Sequence, residues 1–265
     1  MPLTAESVSA AFDRWIWIPE DATVIETDEY LLVRFPDWFF RPAELLRLRP
    51  AAGRDLLALL EEILEQARAI GTPRLSAWVR LDAPVGLEAA LVARGGICEE
   101  TVDAFALDLS GGVPDLNPAG GAELRWMSDL STARDEHRVE VEVFGGSMPP
   151  EDRLARDAET EARDHREGRG GRIVAYLDGE PVGCGGIVIA GQDARLWGGA
   201  VVERARGRGI YRAVLAARLA YAVEQGAAMA LVKGRVDTSG PILRRAGFEV
   251  FGQERCYLLP LESQE

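Results

Sequence analysis

The stretch that decides the fold reads V-V-E-R-A-R-G-R-G-I-Y-R-A-V-L and spans residues 201–215. Its valines end a β-branched run and an almost wholly apolar segment follows Gly209, so the pattern predicts a strand, a loop and then a helix. The first amides of a helix have no partner within it, and the aligned peptide dipoles place about half a positive charge there. Phosphate oxygens bind well at such an end. We therefore predict an anion site at this junction.

Glycines and arginines fill the loop of this junction. Gly207 and Gly209 carry no side chain, so a ligand can approach the backbone closely. Guanidinium groups bind phosphate oxygens through paired hydrogen bonds, so a polyphosphate ligand accounts for both residue types. An ordinary strand-to-helix turn is the alternative, with glycine for conformation and arginine for solubility. The arginines are Arg204, Arg206, Arg208 and Arg212.

The chain contains the order helix, strand, helix, strand twice. Short echoes support an internal repeat, such as A-R-G-G-I at 93–97 against R-R-A-G-F at 244–248, although such alternation also arises by chance. The predicted elements are 54–71, 73–81, 85–96 and 98–109 in the first copy, and 209–226, 228–234, 239–247 and 248–261 in the second.

A Gly- and Pro-rich stretch at 110–123 separates the two copies. The length of 265 residues corresponds to about two average domains. We predict one domain at 1–112 and a second at 121–265. Because helices alternate with strands, we expect an α/β fold with a mixed sheet in both.

Further elements are predicted around these repeats. A hairpin is expected at 22–35, and a strand at 123–127 precedes a helix at 129–144. The segment at 151–168 is highly charged, and Leu154 is its one large apolar residue, which predicts a helix that forms a solvated flap and is stabilised by charge pairs. Three strands are expected to follow, at 172–179, 181–190 and 194–202.

Composition excludes several classes of function. With 43 acidic and 30 basic residues, the chain carries a formal net charge of −13, so we expect no binding to nucleic acid or to a membrane. No apolar run reaches the ~18–20 residues of a membrane span, and the first residues do not resemble a signal peptide, so we expect a soluble, cytoplasmic protein. The cysteines Cys98, Cys184 and Cys256 lack metal-binding spacing with the two histidines, so no metal and no disulfide are expected.

The motif from Arg206 to Tyr211 resembles the signature Gln/Arg-x-x-Gly-x-Gly/Ala of the GNAT superfamily of acyl-CoA-dependent N-acyltransferases. The stretch D-T-S-G-P-I-L-R-R-A-G-F at 237–248 resembles the second motif of that family. The resemblance covers 122–262 and implies a GNAT-like fold in two tandem domains. The first copy resembles a degenerate one, since P-A-A-G-R-D at 50–55 lacks the arginine and glycine pattern, and we predict that it binds no cofactor.

The resemblance implies that acetyl-CoA is the donor cosubstrate. The amides of the motif would hold its pyrophosphate, and the backbone of Val201 and Val202 would align the pantetheine arm and polarise the thioester carbonyl. Asp237 and Ser239 would hydrogen-bond the cofactor, or would cap the helix that follows. The candidate cofactor-binding residues are Val201, Val202, Arg206, Gly207, Arg208, Gly209, Ile210, Tyr211, Arg212, Asp237 and Ser239.

Direct attack by an amine needs a deprotonated nitrogen and an acid for the departing thiolate. Leu243 stands where many family members carry a tyrosine acid, so Tyr211 and Tyr257 are the candidate acids. Solvent is the alternative, because a thiol with a pKa of ~8.5 leaves without much help. The candidate base is Glu142, with Glu140 and His137 on the same predicted helix, and a solvated helix face is the alternative for all three.

We expect an N-acetyltransferase that acts on a primary amine of a small molecule, as a monomer or homodimer. The alternatives are a non-catalytic acyl-CoA-binding or regulatory module, a protein N-terminus or lysine as acceptor, and a different phosphorylated ligand in the loop. An acyl-cysteine route through Cys184 is disfavoured, because no histidine neighbours it in sequence. The aromatic run at 35–40 is expected to fill a core rather than to dock a partner.

Overall fold

The computed structural model describes residues 3–14, 16–117 and 121–261. The chain divides into two compact units, which we call the N-terminal unit (Trp15–Asp103 with Gly252–Glu265) and the C-terminal unit (Met1–Arg14 with Ala104–Phe251). The predicted domains at 1–112 and 121–265 are each continuous in sequence, whereas each compact unit takes a piece from the other end of the chain. Within the predicted linker, residues 118–120 lie outside the described residues.

Helices and strands alternate along the described chain, as the periodicity predicts. The helices are α1 (Ala5–Asp13), α2 (Leu56–Ala69), α3 (Leu87–Ala93), α4 (Leu130–Phe144), α5 (Glu151–Arg166), α6 (Ile210–Glu224) and α7 (Ser239–Arg245). The strands are β1 (Thr23–Glu26), β2 (Tyr30–Arg34), β3 (Ala43–Leu48), β4 (Arg74–Val79), β5 (Ile97–Asp108), β6 (Glu123–Trp126), β7 (Gly170–Leu177), β8 (Glu180–Ala190), β9 (Asp193–Val201), β10 (Met229–Arg235) and β11 (Glu249–Pro260). Both predicted copies of helix, strand, helix and strand are present.

The sheet of the N-terminal unit has the order β1-β2-β3-β4-β11. The β1–β2 hairpin confirms the prediction at 22–35. Strand β4 runs parallel to β3, and α2 makes the crossover between them. This helix buries one apolar face against the sheet, and Leu59, Leu60 and Ile63 on that face are fully buried. The unit therefore has its own hydrophobic core.

The C-terminal unit has the strand order β5-β10-β9-β8-β7-β6. Strands β6 to β9 form an antiparallel meander, and α6 crosses over to β10, which runs parallel to β9. Apolar residues surround much of α6, and the helix contributes to two core clusters, through Leu215 and Leu219 in one and Ile210 and Val214 in the other. A helix that is apolar on several faces is typical of a buried position.

Strand β9 has two notable features towards its C-terminal end. The register between β8 and β9 shifts between the pairs Cys184–Ala200 and Gly186–Trp197, so β9 holds one extra residue there. This β-bulge contains Gly198, whose φ of +58° favours glycine. The parallel pairing joins 193–196 of β9 with 229–232 of β10, and both strands continue beyond it. The bulge therefore lies past the paired segment, where β9 leads to the anion-site loop.

The segment at 151–168 forms the predicted helix, but this helix is not a solvated flap. It forms α5, which buries Leu154 and Ala158 against α4. Its Glu161 bonds the buried guanidinium of Arg172 on β7. The flap prediction was wrong because it placed the charge pairs at the surface, whereas charges on separate elements can neutralise one another inside the fold. Among the described residues, no helix is long and apolar enough to cross a membrane.

Candidate functional site

The junction between β9 and α6 has the predicted form of strand, loop and helix. After β9, a 3₁₀ turn at Glu203–Ala205 leads to Gly209, which precedes α6 with a φ of +79° and provides no side-chain cap. The first bond of the helix runs from the amide of Ala213 to the carbonyl of Gly209. The amides of Ile210, Tyr211 and Arg212 therefore have no partner within the helix and face the helix entrance.

The arginines of this loop differ in their surroundings. Arg204 pairs with Glu142 at 2.5 Å, and Arg212 is exposed, with its Nη1 3.5 Å from the carbonyl of Leu116. Arg206 and Arg208 are exposed, and neither forms an ion pair within the described part of the chain. The position of a Cβ on Gly207 is open, with no atom within 4 Å. The loop thus combines free amides, open backbone and uncompensated positive charge.

A carboxylate lies against the β9 bulge. A Cβ built on Gly198 would lie 3.4 Å from Oε1 of Glu140, which projects from α4. Burial raises the pKa of Glu140, but the hydrogen bond with His137 and the charge of Arg172 outweigh it, so the pKa is lowered. Its carboxyl is therefore ionised at neutral pH. A negative charge is held at the bend of the strand that leads to the anion-site loop.

Arg172 on β7 organises the buried charges around this carboxylate. Its side chain is 9% exposed, and its Nη1 lies 3.1 Å from Oε2 of Glu136 and 3.7 Å from Oε2 of Glu140. Its Nε lies 3.1 Å from Oε1 of Glu161 on α5. The guanidinium also stacks over the ring of Trp197, 4.7 Å from its centre. We call this set of residues, together with His137 and Asp157, the ion network.

His137 is a charged member of the ion network rather than a base. Its Nδ1 lies 3.4 Å from Oε2 of Glu140, and its Nε2 lies 3.7 Å from Oδ2 of Asp157. Burial lowers its pKa, but the neighbouring carboxylates of Asp157, Glu140 and Glu136 outweigh burial and raise the pKa to about 9. The imidazole is therefore protonated at neutral pH and cannot accept a proton from a substrate.

Ligand atoms of Glu136, His137 and Glu140 lie within 4.8 Å of one another, close enough to hold a metal ion. Arg172 already engages Glu136 at 3.1 Å, and His137 is protonated, so its nitrogens cannot ligate a metal. Burial raises the pKa of Glu136 to about 7, which also disfavours it as a ligand. We interpret the cluster as an ion network.

The remaining predicted residues lie in several places. The ring of Tyr211 lies beside the bulge, 3.1 Å from the Cβ position of Gly199. Tyr257 lies in the N-terminal unit, where its hydroxyl donates to Glu88 at 2.6 Å. Glu142 is exposed and pairs with Arg204, so the structure sets Glu140 rather than Glu142 against the bulge.

Two predicted cofactor residues follow β10. Asp237 lies in the turn after this strand, and Ser239 begins α7. Because β9 and β10 are parallel neighbours, the loops that follow them leave the sheet at the same edge. Leu243 is fully buried in the core. Burial raises the pKa of Cys184 far above its ordinary value, which agrees with the rejection of an acyl-cysteine route.

Sequence reasoning missed the buried charges and the bulge. The bulge had a readable signal, because the glycine pair in L-W-G-G-A-V at 196–201 interrupts a strand and glycine inside a strand often marks a bulge. No pattern in the sequence indicated that Arg172 and Arg218 are almost fully buried. Arginine in a strand or helix usually faces solvent, and its partners come from distant elements.

Comparison with known proteins agrees with this geometry. Residues 132–245 match the model of the acetyltransferase (GNAT) family. No curated protein sequence matches the chain. The chain is similar in structure to a GCN5-related N-acetyltransferase from Kribbella flavida (TM-score 0.70, 17% identity), with 98% of this chain and 96% of that one covered.

Two further solved structures share the fold. A GCN5-related N-acetyltransferase from Sphaerobacter thermophilus has a TM-score of 0.65 at 17% identity, with 89% of this chain and 81% of that one covered. A tandem GNAT protein from the clavulanic acid biosynthesis pathway has a TM-score of 0.62 at 18% identity, with coverage of 100% and 90%. The fold of this chain is therefore a mixed α/β GNAT fold.

The matched residues 132–245 include strands β7 to β9 of the meander, the anion-site loop and α6. The motif at Arg206–Tyr211, which carries the resemblance, lies within the residues that match the GNAT family model.

Proposed function

We propose that this chain is an N-acetyltransferase that moves the acetyl group of acetyl-CoA to a primary amine of a small molecule. One observation carries the proposal: the same strand, β9, leads from a bulge that faces the carboxylate of Glu140 to a loop with an open helix entrance. The first feature suits a cationic amine, and the second suits a phosphate. The two halves of an acyl-transfer reaction thus have adjoining sites.

The loop fits the pyrophosphate of CoA. The amides of Ile210, Tyr211 and Arg212 have no partner within α6, and the helix dipole adds positive charge at this end. Arg206 and Arg208 are exposed and without a carboxylate partner within the described residues, so each can bind a phosphate oxygen. When bound, acetyl-CoA supplies the thioester whose acyl group is transferred.

Glu140 is suited to hold the acceptor amine. Its lowered pKa keeps it ionised, and an ionised carboxylate accepts charge-assisted hydrogen bonds from an ammonium or amine. In the reaction, the amine nitrogen forms a bond to the acyl carbon and the carbon–sulfur bond breaks, so that its electron pair leaves on sulfur. The nitrogen becomes much more acidic as it bonds, and Glu140 takes its proton.

The thiolate of CoA needs a proton but not a strong acid. A thiol has a pKa of ~8.5, so water can protonate it near neutral pH. Burial raises the pKa of Tyr211, and the charge of Arg218 opposes this shift. Tyr211 is therefore protonated at neutral pH, and it lies beside the bulge. We propose Tyr211, rather than Tyr257, as the side chain that assists protonation of the CoA thiolate.

Titration calorimetry tests the donor site, with acetyl-CoA and CoA as ligands and ATP and NAD as controls. Micromolar binding of CoA ligands, about −8 kcal/mol, supports the proposal, and comparable binding of ATP or NAD contradicts it. Turnover is then measured as free thiol released with a panel of small primary amines. Binding without turnover for any amine, peptide N-terminus or lysine would show a non-catalytic acyl-CoA-binding module instead.

A further inference from the structure

A charged side chain is buried beside the β9 bulge without a counter-ion. Arg218 on α6 is 1% exposed. It forms no ion pair with any carboxylate in the described ranges, and Tyr211 and Cys184 are the groups that favour its charged form. Burying an unpaired charge is costly. The fold must therefore use this guanidinium for something that an apolar side chain cannot do.

Arg218 donates one hydrogen bond within its own helix, from Nε to the carbonyl of Val214 at 3.3 Å, and two hydrogen bonds to the strands at the bulge. Its Nη1 donates to the carbonyl of Gly186 at 3.2 Å and to the carbonyl of Trp197 at 3.1 Å. These two residues face each other across β8 and β9 at one side of the register shift. A bulge interrupts the ladder of backbone hydrogen bonds and leaves groups without their usual partners. Arg218 supplies a donor at that interruption.

Two glycines make room for the guanidinium. A Cβ on Gly185 would lie 2.8 Å from Cζ of Arg218, and a Cβ on Gly199 would lie 3.4 Å from its Nη2. The Nη2 atom is buried and has no hydrogen-bond partner among the described residues. The same Cβ position on Gly199 is 3.1 Å from the ring of Tyr211. The positive charge thus lies directly against the bulged backbone.

We propose that Arg218 is a positioning residue for acyl transfer, which holds the β9 bulge through Gly186 and Trp197 and keeps positive charge beneath it. This inference rests on the proposed function. Negative charge develops on the acyl oxygen as the amine attacks, and preorganised donors and charges near that point speed the reaction. A bulge that relaxes would still bind CoA at the loop, because Arg206 to Arg212 lie beyond it. Loss of Arg218 should therefore affect turnover more than donor binding.

The experiment compares Arg218→Met, Arg218→Lys and Leu219→Ala with the wild type. Arg218→Met removes charge and donors, Arg218→Lys keeps the charge but loses the planar fork, and Leu219→Ala disturbs the same helix in the core. For each protein we would measure the melting temperature, the Kd for acetyl-CoA and the kcat with an amine found in the panel. We expect a kcat lower by about 10-fold or more in Arg218→Met, with a Kd changed less than ~3-fold, and partial recovery in Arg218→Lys.

The outcomes separate the inference from the proposed function. A kcat of Arg218→Met no lower than that of Leu219→Ala would overturn the inference and leave the proposed function intact. Parallel losses in Kd and kcat would also overturn it, since they indicate a structural role alone. If Arg218→Met does not fold, Gly199→Ala serves instead, because its Cβ crowds the guanidinium and Tyr211, and an unchanged kcat in that variant overturns the inference. Absence of acetyl-CoA binding by the wild type overturns both.

Discussion

Two helices occupy the same place in two similar crossovers and begin in opposite ways. Helix α2 links the parallel strands β3 and β4, and α6 links the parallel strands β9 and β10. The side chain of Asp55 accepts a hydrogen bond from the amide of Leu57 at 2.8 Å and caps α2. Gly209 precedes α6 and has no side chain to do so. One helix entrance already holds a carboxylate, and the other is open to an external anion.

The two units also differ in how they use charge. In the C-terminal unit, α4 and α5 enclose the ion network around Arg172, and Glu140 of this network reaches the β9 bulge. The N-terminal unit contains α2 and α3 within its described residues, and its Arg54 is paired with Glu29 and Glu62. A single residue ahead of a helix therefore decides whether its entrance is closed by a carboxylate or open to an external anion. The proposed chemistry uses the open copy.

The largest effect is expected from a change at Glu140, the carboxylate that lies against the β9 bulge. Glu140→Gln should lower kcat/KM by about 100-fold, because the amide cannot take the proton of the amine. Steady-state kinetics with the amine found in the panel measures this loss. Glu142→Gln, two residues along, should have little effect, since that side chain faces solvent and pairs with Arg204. A larger loss in Glu142→Gln than in Glu140→Gln would assign the role to Glu142, as the sequence alone suggested.

The second-largest effect is expected when a carboxylate closes the open entrance of α6, as Asp55 closes the entrance of α2. Gly209→Asp places a carboxylate at the entrance of α6 and should weaken acetyl-CoA binding by at least ~10-fold, or about 1.4 kcal/mol. Gly226→Asp is the matched control, since Gly226 has nearly the same φ (+78° against +79°) and lies after the other end of the helix. Equal Kd values for the two variants by calorimetry would refute a phosphate site at the entrance.

The reverse change removes the carboxylate from the N-terminal unit. Asp55→Ala should reduce the free energy of unfolding by about 1 kcal/mol, the usual cost of losing a helix cap. It should add no second acetyl-CoA site, because Arg54 remains paired with Glu29 and Glu62. Urea unfolding measures the first result, and the stoichiometry in calorimetry measures the second. Asp37→Ala, at a side chain that is 97% exposed, is the control, and a stoichiometry of two for Asp55→Ala would contradict the prediction.

The smallest expected effect compares a tyrosine in each unit. Tyr211→Phe should lower kcat by about 3-fold if Tyr211 assists thiolate departure, because solvent provides most of that proton. Tyr257→Phe should leave kcat unchanged and remove one hydrogen bond to Glu88. Pre-steady-state and steady-state rates at pH 7 and pH 9 measure the difference. Unchanged kinetics in both variants would mean that water alone protonates the thiolate.

Sequence patterns predicted the elements whose signals are local. The apolar period of 54–71 and 209–226 placed α2 and α6 within two residues of their observed ends. Strand β3 and helix α1 were not predicted, although Thr4 and Ser7 form a capping box at the start of α1 that was readable. The loop of the candidate donor site could be located from the sequence because it occupies one continuous stretch, and its role in binding stays a prediction. The residues proposed to face the acceptor could not be located in this way, because α4, α5, β7 and β9 contribute one to three residues each.

The sequence by itself determined the repeat, the strand–loop–helix junction and the open entrance of α6. Each follows from neighbouring residues, through side-chain period, glycine conformation and helix capping. Tertiary structure alone decided that Glu140 rather than Glu142 reaches the bulge, that His137 is held charged and that Arg218 is buried beneath β9. A buried charge is stable only where partners from distant elements meet it, and no local pattern records which partners those are.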